Sequence, residues 1–240
     1  MEEERVQKFI ALSGLTSRRK SEDLIKQNKV KVNGKIIKLG DKCLATDKIE
    51  VNNKQIYFNT NPGSHTYIIL NKKAGFVCSK EDKFNKKTVY DLIKKENQKS
   101  NLFTIGRLDK ETEGLLLLTT DGDLTQRIIH PSSKIKKEYL VKLNKKLQKN
   151  HKEEIEKGLV LDNYKLSSCE IKNLNNNDLI ITINEGKKRQ IRRIFEMKNY
   201  SVTKLIRTKI GNLNLNDLNL KLGDSKLVEK DFLERKIFSQ

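Results

Sequence analysis

The chain has no tryptophan, only two prolines and three cysteines in 240 residues, and no apolar run near the ~20 residues that a membrane-spanning helix needs. The missing tryptophan counts against a glycoside hydrolase, which needs aromatic sugar platforms as well as two spaced carboxylates. Cys43, Cys78 and Cys169 are odd in number, far apart and without CxxC or histidine-rich surroundings. They support neither a disulfide framework nor a zinc site, so buried or idle thiols are expected and no metal. The start Met1, Glu2, Glu3, Glu4 is the reverse of a basic signal-peptide region, which leads us to expect a soluble, cytoplasmic protein. Neither βα alternation nor a glycine-rich phosphate loop is visible, so no nucleotide cofactor is expected. Acidic residues are short as well: 31 against 50 basic ones, a formal charge of +19 that calls for a polyanionic partner, most commonly nucleic acid. Forty of those cations are lysines, as a drift in composition would also produce, so the ten arginines are the better tracer of phosphate.

What is present is concentrated. Gly106, Arg107, Leu108 and Asp109 stand in a stretch closed by Gly114, which runs straight into four leucines and two threonines before Asp121 and Gly122. Turn signals on both sides make the leucine run a buried strand rather than a helix. Asp109 therefore sits on a loop anchored by core structure, where catalytic groups concentrate. On spacing alone an aspartate that caps a turn is the safer reading.

The residues from Gly106 to Gly122 are similar to GRLDxxTxGLLLLTTDG, the signature of the RsuA/RluB/E/F family of ribosomal RNA pseudouridine synthases. The resemblance implies that Asp109 is the catalytic residue. It also implies an α+β fold, in which a small S4 domain precedes a synthase domain with a mainly antiparallel mixed sheet and flanking helices.

The rest of the chain reads accordingly. Val6, Phe9, Ile10 and Leu12 form a helical stripe ended by Ser13 and Gly14, and a second helix starts at Thr16 or Ser17 and runs to about Asn28. Val30, Lys31 and Val32 alternate as a strand, Asn33 and Gly34 make a two-residue hairpin turn, and residues 49 to 51 form another strand. Arg18, Arg19 and Lys20 crowd a helix N-terminus, where the dipole disfavours cations unless a phosphate docks there. This segment resembles the S4 RNA-binding domain over residues 3 to 52, matching at the paired arginines and the V-x-V-N-G hairpin. Residues 59 to 65 read as a linker, giving an S4-like domain at 1–58 and a catalytic domain at 66–240. Residues 71 to 79 resemble the family's L-N-K-P-x-G opening, with Lys73 in place of the proline. Residues 88 to 93 are expected to be helical, as are those after the Asp121 cap up to Pro131, and 147 to 157. Strands are expected at 67–70, 137–143 and 179–183.

A second constellation runs from Glu185 to Phe195. Ile191, Ile194 and Phe195 mark the buried stripe of a helix, Arg189 and Arg193 point away from it, and Arg192 lies on its flank. Nine basic side chains and one acidic one fall between 187 and 209, so the outward arginines are expected to meet phosphates. The string resembles the family's E-G-x-x-x-Q-V-R-R-M-F motif, which transfers to Arg192 the ion pair with the catalytic aspartate. The family's K-x-Y-x-V segment falls on Lys137, Tyr139 and Val141 and makes Tyr139 the aromatic that packs on the target uracil. By spacing alone Tyr139 is a core residue. The RNA contacts expected are Arg18, Arg19, Lys20, Lys31, Arg107, Arg189, Arg193 and Arg207, while Asp121 and His130 read as structural.

The reaction implied breaks the bond from ribose C1′ to uracil N1, turns the base and rejoins it through C5, which requires no cofactor. The target implied is ribosomal RNA or a pre-ribosomal particle, met by a monomer; His130, Pro131 and Ser132 together with Arg189 resemble the large-subunit branch of the family, which implies 23S rather than 16S. The alternative of another class is a non-catalytic S4-type ribosome-binding protein.

Overall fold

The computed structural model describes residues 2–58, 65–80, 84–85 and 87–238. They divide into two compact units, one holding residues up to Thr66 with Glu96–Phe103, the other Tyr67–Lys95 and Thr104 onward. The expected linker, apart from residue 65, lies outside the described residues.

In the first unit β1 (Glu4–Arg5) leads into α1 (Val6–Leu12), and α2 (Arg18–Lys26) follows. Ser17 caps α2, its Oγ accepting the Lys20 amide at 3.3 Å, which fixes the start that the sequence left between Thr16 and Ser17. Strands β2 (Val30–Val32) and β3 (Lys35–Ile36) form the expected hairpin. Asn33 and Gly34 turn it with φ of 50° and 80°, the pair of left-handed residues that such a tight turn requires. β4 (Lys42–Cys43) pairs with β1, and β5 (Ile49–Val51) lies between β2 and β6 (Lys54–Gln55). Val6, Phe9, Ile10, Ile25, Val30, Ile49 and Val51 fill the core between helices and sheet.

The second unit is built on a twisted mixed sheet. It opens with β7 (Tyr67–Lys72), β8 (Phe103–Ile105), β9 (Glu113–Thr119), α3 (Gly122–Ile129) and β10 (Lys137–Leu143). After α4 (Lys149–Glu156) come a separate hairpin of β11 (Val160–Leu161) and β12 (Tyr164–Lys165), then β13 (Glu170–Asn173) and β14 (Asp178–Ile183). α5 (Gln190–Glu196), β15 (Val202–Ile210), β16 (Leu213–Asn214), β17 (Ser225–Leu227) and α6 (Lys230–Phe238) complete it. The strand order is β13, β14, β10, β15, β9, β7, β17. The central pair, β9 with β15, is parallel, whereas the neighbouring pairs are antiparallel.

The leucine run forms β9 as expected, with Leu115, Leu116, Leu117 and Leu118 wholly buried. Leu115 and Leu117 pack under α3 and α6 with Ile69, Leu124, Ile128 and Leu233. Asp121 caps α3, accepting the amides of Asp123 and Leu124 and the hydroxyl of Tyr67, so its structural reading holds. The helix expected at 88 to 93 is instead a single 3₁₀ turn, Val89–Leu92. Thr88 and Asp91 cap each other across it and Ile93 is already extended, which leaves no room for an α-helical turn.

Candidate active site

Asp109 stands in the loop between β8 and β9, its side chain about one-third exposed. The loop is held by its backbone. Lys72, at the end of β7 and 0% exposed, donates from Nζ to the carbonyls of Thr112 at 2.8 Å and of Lys73, Asp109 and Lys110 at 3.2 Å each. Four carbonyls replace the water that a buried ammonium has lost, and burial still pulls the Lys72 pKa below its ordinary value. The Gly75 amide donates to the Lys110 carbonyl at 2.8 Å, and the Leu108 amide to Cys78 Sγ at 3.4 Å. Where the loop enters β9, Gly114 has φ of 101°, and a Cβ there would lie 2.8 Å from the Arg207 amide nitrogen and closer still to its carbonyl oxygen. Only glycine lets β9 and β15 approach like this.

Cross-strand pairing lines up one row of side chains on a single face of the sheet. Ile181 of β14 stands opposite Tyr139 of β10, Tyr139 opposite Arg207 of β15, Arg207 opposite Gly114 of β9, and Gly114 opposite Lys72 of β7. Directly paired residues point to the same face. A nearly buried aromatic and two buried cations therefore line up across the sheet at the foot of the Asp109 loop.

The cation in contact with Asp109 is Arg189, not Arg192. Arg189 Nη1 lies 4.0 Å from Asp109 Oδ2 and 3.4 Å from Glu111 Oε2. The expectation that Arg189 points outward assumed helical spacing, but it is the N-cap of α5, with φ of 51° and ψ of 30°. A left-handed residue does not follow the 100° periodicity of the helix it precedes. The turn before it is braced by Glu185, whose Oε1 accepts Gln190 Nε2 at 3.0 Å and the Ser167 amide at 2.9 Å. Arg192 is half-buried as expected, but its Nη1 donates to the Val202 carbonyl at 2.9 Å and its Nε is buried with no partner. Burial and the neighbouring Arg189 lower its pKa, while Asp109 and Glu111 oppose that. Arg193 grips Asp162 at the tip of the β11–β12 hairpin through two hydrogen bonds of 2.8 and 2.5 Å, and Lys187 lies over the Tyr164 ring at 3.9 Å.

Residues 66–197 match the sequence model described as RNA pseudouridylate synthase, and residues 4–49 match the S4 domain. The chain belongs to the RNA pseudouridylate synthase family. It is 38% identical over 230 residues to the ribosomal large subunit pseudouridine synthase B of Bacillus subtilis, covering 93% of this chain and 91% of that one. Identity to the dual-specificity RNA pseudouridine synthase RluF of Salmonella typhi is 34%, over 94% of this chain and 78% of that one. A crystal structure of a pseudouridylate synthase superposes with a TM-score of 0.70 at 30% identity, covering 97% of this chain and 99% of the other.

Within this synthase fold Tyr139 is 7% exposed, and Arg207, expected among the outward arginines, is 3% exposed. β15 turns Arg207 into the sheet face beside Tyr139, so it does not meet the RNA backbone from the surface. Its Nε donates to the Leu115 carbonyl at 2.7 Å and its Nη2 is buried with no partner. Lys137 donates to the Ile135 carbonyl, and burial together with the charge of Arg207 lowers its pKa. Arg107 is exposed, as are Arg18, Arg19 and Lys20 at the start of α2, while Lys31 is half-buried and donates to Asn53 Oδ1 at 3.0 Å. Sequence reasoning missed Lys72 as a site residue. The signal was a lysine inside an otherwise apolar strand, which has to be satisfied internally.

Proposed function

We propose that the protein isomerises a specific uridine of 23S ribosomal RNA to pseudouridine, without a cofactor, through the carboxylate of Asp109. The observation that carries the reading is a lone aspartate on a loop whose backbone is fixed by a buried ammonium, at the end of a row containing Tyr139. Asp109 attacks or deprotonates the sugar; Tyr139 packs on the extruded uracil, offsetting part of the unstacking cost of a few kcal/mol. Arg189 orients the aspartate, and Arg192 adds positive charge from the flank. Residues 1–58 serve as the RNA-binding module, presenting Arg18, Arg19, Lys20 and Lys31, the linker spans 59–65, and residues 66–240 form the catalytic domain. Arg107 and Arg193 meet phosphates near the target. The protein works as a monomer in the cytoplasm, on ribosomal RNA or a pre-ribosomal particle.

The name of the Bacillus subtilis relative supports ribosomal RNA as substrate class and favours the large subunit. The test is tritium release from C5-labelled uridine in 23S and in 16S RNA. Release from 23S alone is the expected result, release from 16S alone overturns the target, and release from neither overturns the enzymatic reading. Asp109→Asn is expected to abolish release while RNA binding persists; a non-catalytic S4-type protein would show no such loss.

A further inference from the structure

The row across the sheet holds two buried cations with different commitments. Lys72 is spent on four backbone carbonyls. Arg207 is not: its Nε is used, but its Nη2 is sealed from solvent without an acceptor. A buried guanidinium donor left unsatisfied is costly, and such a group persists where something else gains from it. Its partners in the row are Tyr139 on one side and, on the other, Gly114 at the foot of the loop that carries Asp109.

Resting on the synthase reading above, we infer that Arg207 is a catalytic residue whose Nη2 donates to a carbonyl oxygen of the uracil that lies against Tyr139. The chemistry gives this contact a purpose. When the C1′–N1 bond breaks, its electron pair stays on N1, and C1′ is taken up by the Asp109 carboxylate. The charge on N1 is delocalised onto O2 and O4 of the ring. C5 then bonds to C1′ as the C1′–carboxylate bond breaks and its electron pair returns to Asp109, the C5 proton leaves and N1 regains a proton, so atoms and electrons balance. A fixed cation on O2 or O4 binds the detached anion more strongly than the neutral base, which is the differential that accelerates cleavage. It also keeps the detached ring from escaping while it turns.

The experiment uses the full chain and fragments of whichever ribosomal RNA releases tritium, with the target as C5-labelled uridine, 2-thiouridine or 4-thiouridine. Sulfur is a poor acceptor, so in the wild type one of the two thiouridines is expected to react roughly 10- to 100-fold more slowly than uridine under single turnover. The Arg207→Lys variant, checked by thermal melting, is expected to slow on uridine and to lose most of that discrimination. If the wild type converts both thiouridines within about threefold of uridine, or Arg207→Lys keeps the full thio effect, the contact does not exist. A merely structural arginine would slow all three substrates alike. No release from any uridine-containing RNA overturns the synthase reading itself, and the contact with it.

Discussion

At the residue scale, the site turns on how many cations share one carboxylate and what else each of them holds. Arg189 divides itself between Asp109 and Glu111, while Arg192 and Arg207 each keep one buried N–H unspent. Arg189→Gln is expected to lower kcat about tenfold or more, because the charge 4.0 Å from the carboxylate proposed to react is lost. A half-exposed ion pair adds only ~0–1 kcal/mol to stability, so a melting curve of the same variant should barely move, which separates catalysis from folding. Lys72 behaves in the opposite way. Lys72→Met strips four carbonyls of their donor and should cost about 2–4 kcal/mol in urea unfolding, together with most of the activity.

Among the elements, the approach of β9 to β15 is the tightest constraint. Gly114→Ala forces a Cβ onto the Arg207 backbone at a left-handed φ, and should cost about 2–4 kcal/mol of stability by calorimetry. The run Glu113–Thr119 was legible as a strand because an apolar stretch closed by turns has one plausible use, and the Asn33–Gly34 hairpin because few residues tolerate that backbone. The α5 stripe of Ile191, Ile194 and Phe195 was legible for the same reason. Arg189 was misplaced because periodicity says nothing about a residue one step before the helix. Arg207 was misplaced because its burial depends on cross-strand pairing with Tyr139 and Gly114, which are distant in sequence. The β11–β12 hairpin, held through Asp162 and Tyr164, was passed over because its strands are too short to show alternation.

For the whole molecule, a formal charge of +19 makes RNA affinity a function of salt. Affinity measured by filter binding should fall by roughly 10³-fold or more between 50 and 200 mM salt if about six phosphates are neutralised. Buried thiols set an alkaline limit on stability. Burial raises the Cys43 pKa from 9.0 to about 11 and that of Cys169 to about 12. A group with a raised folded pKa contributes its full stability below the unfolded value and loses it as pH climbs toward the folded one. Unfolding free energy should therefore decline from about pH 9 upward, and Cys43→Ala should flatten that slope. The parallel seam of β9 and β15 bears on time as well as on geometry. It joins segments separated by the whole of α3, β10, α4, β11 to β14 and α5, so the closure that puts Arg207 opposite Gly114 is expected to be a late, non-local event in folding. During synthesis the chain would carry a finished RNA-binding module long before it had a reaction centre, and could hold its substrate before it was able to alter it.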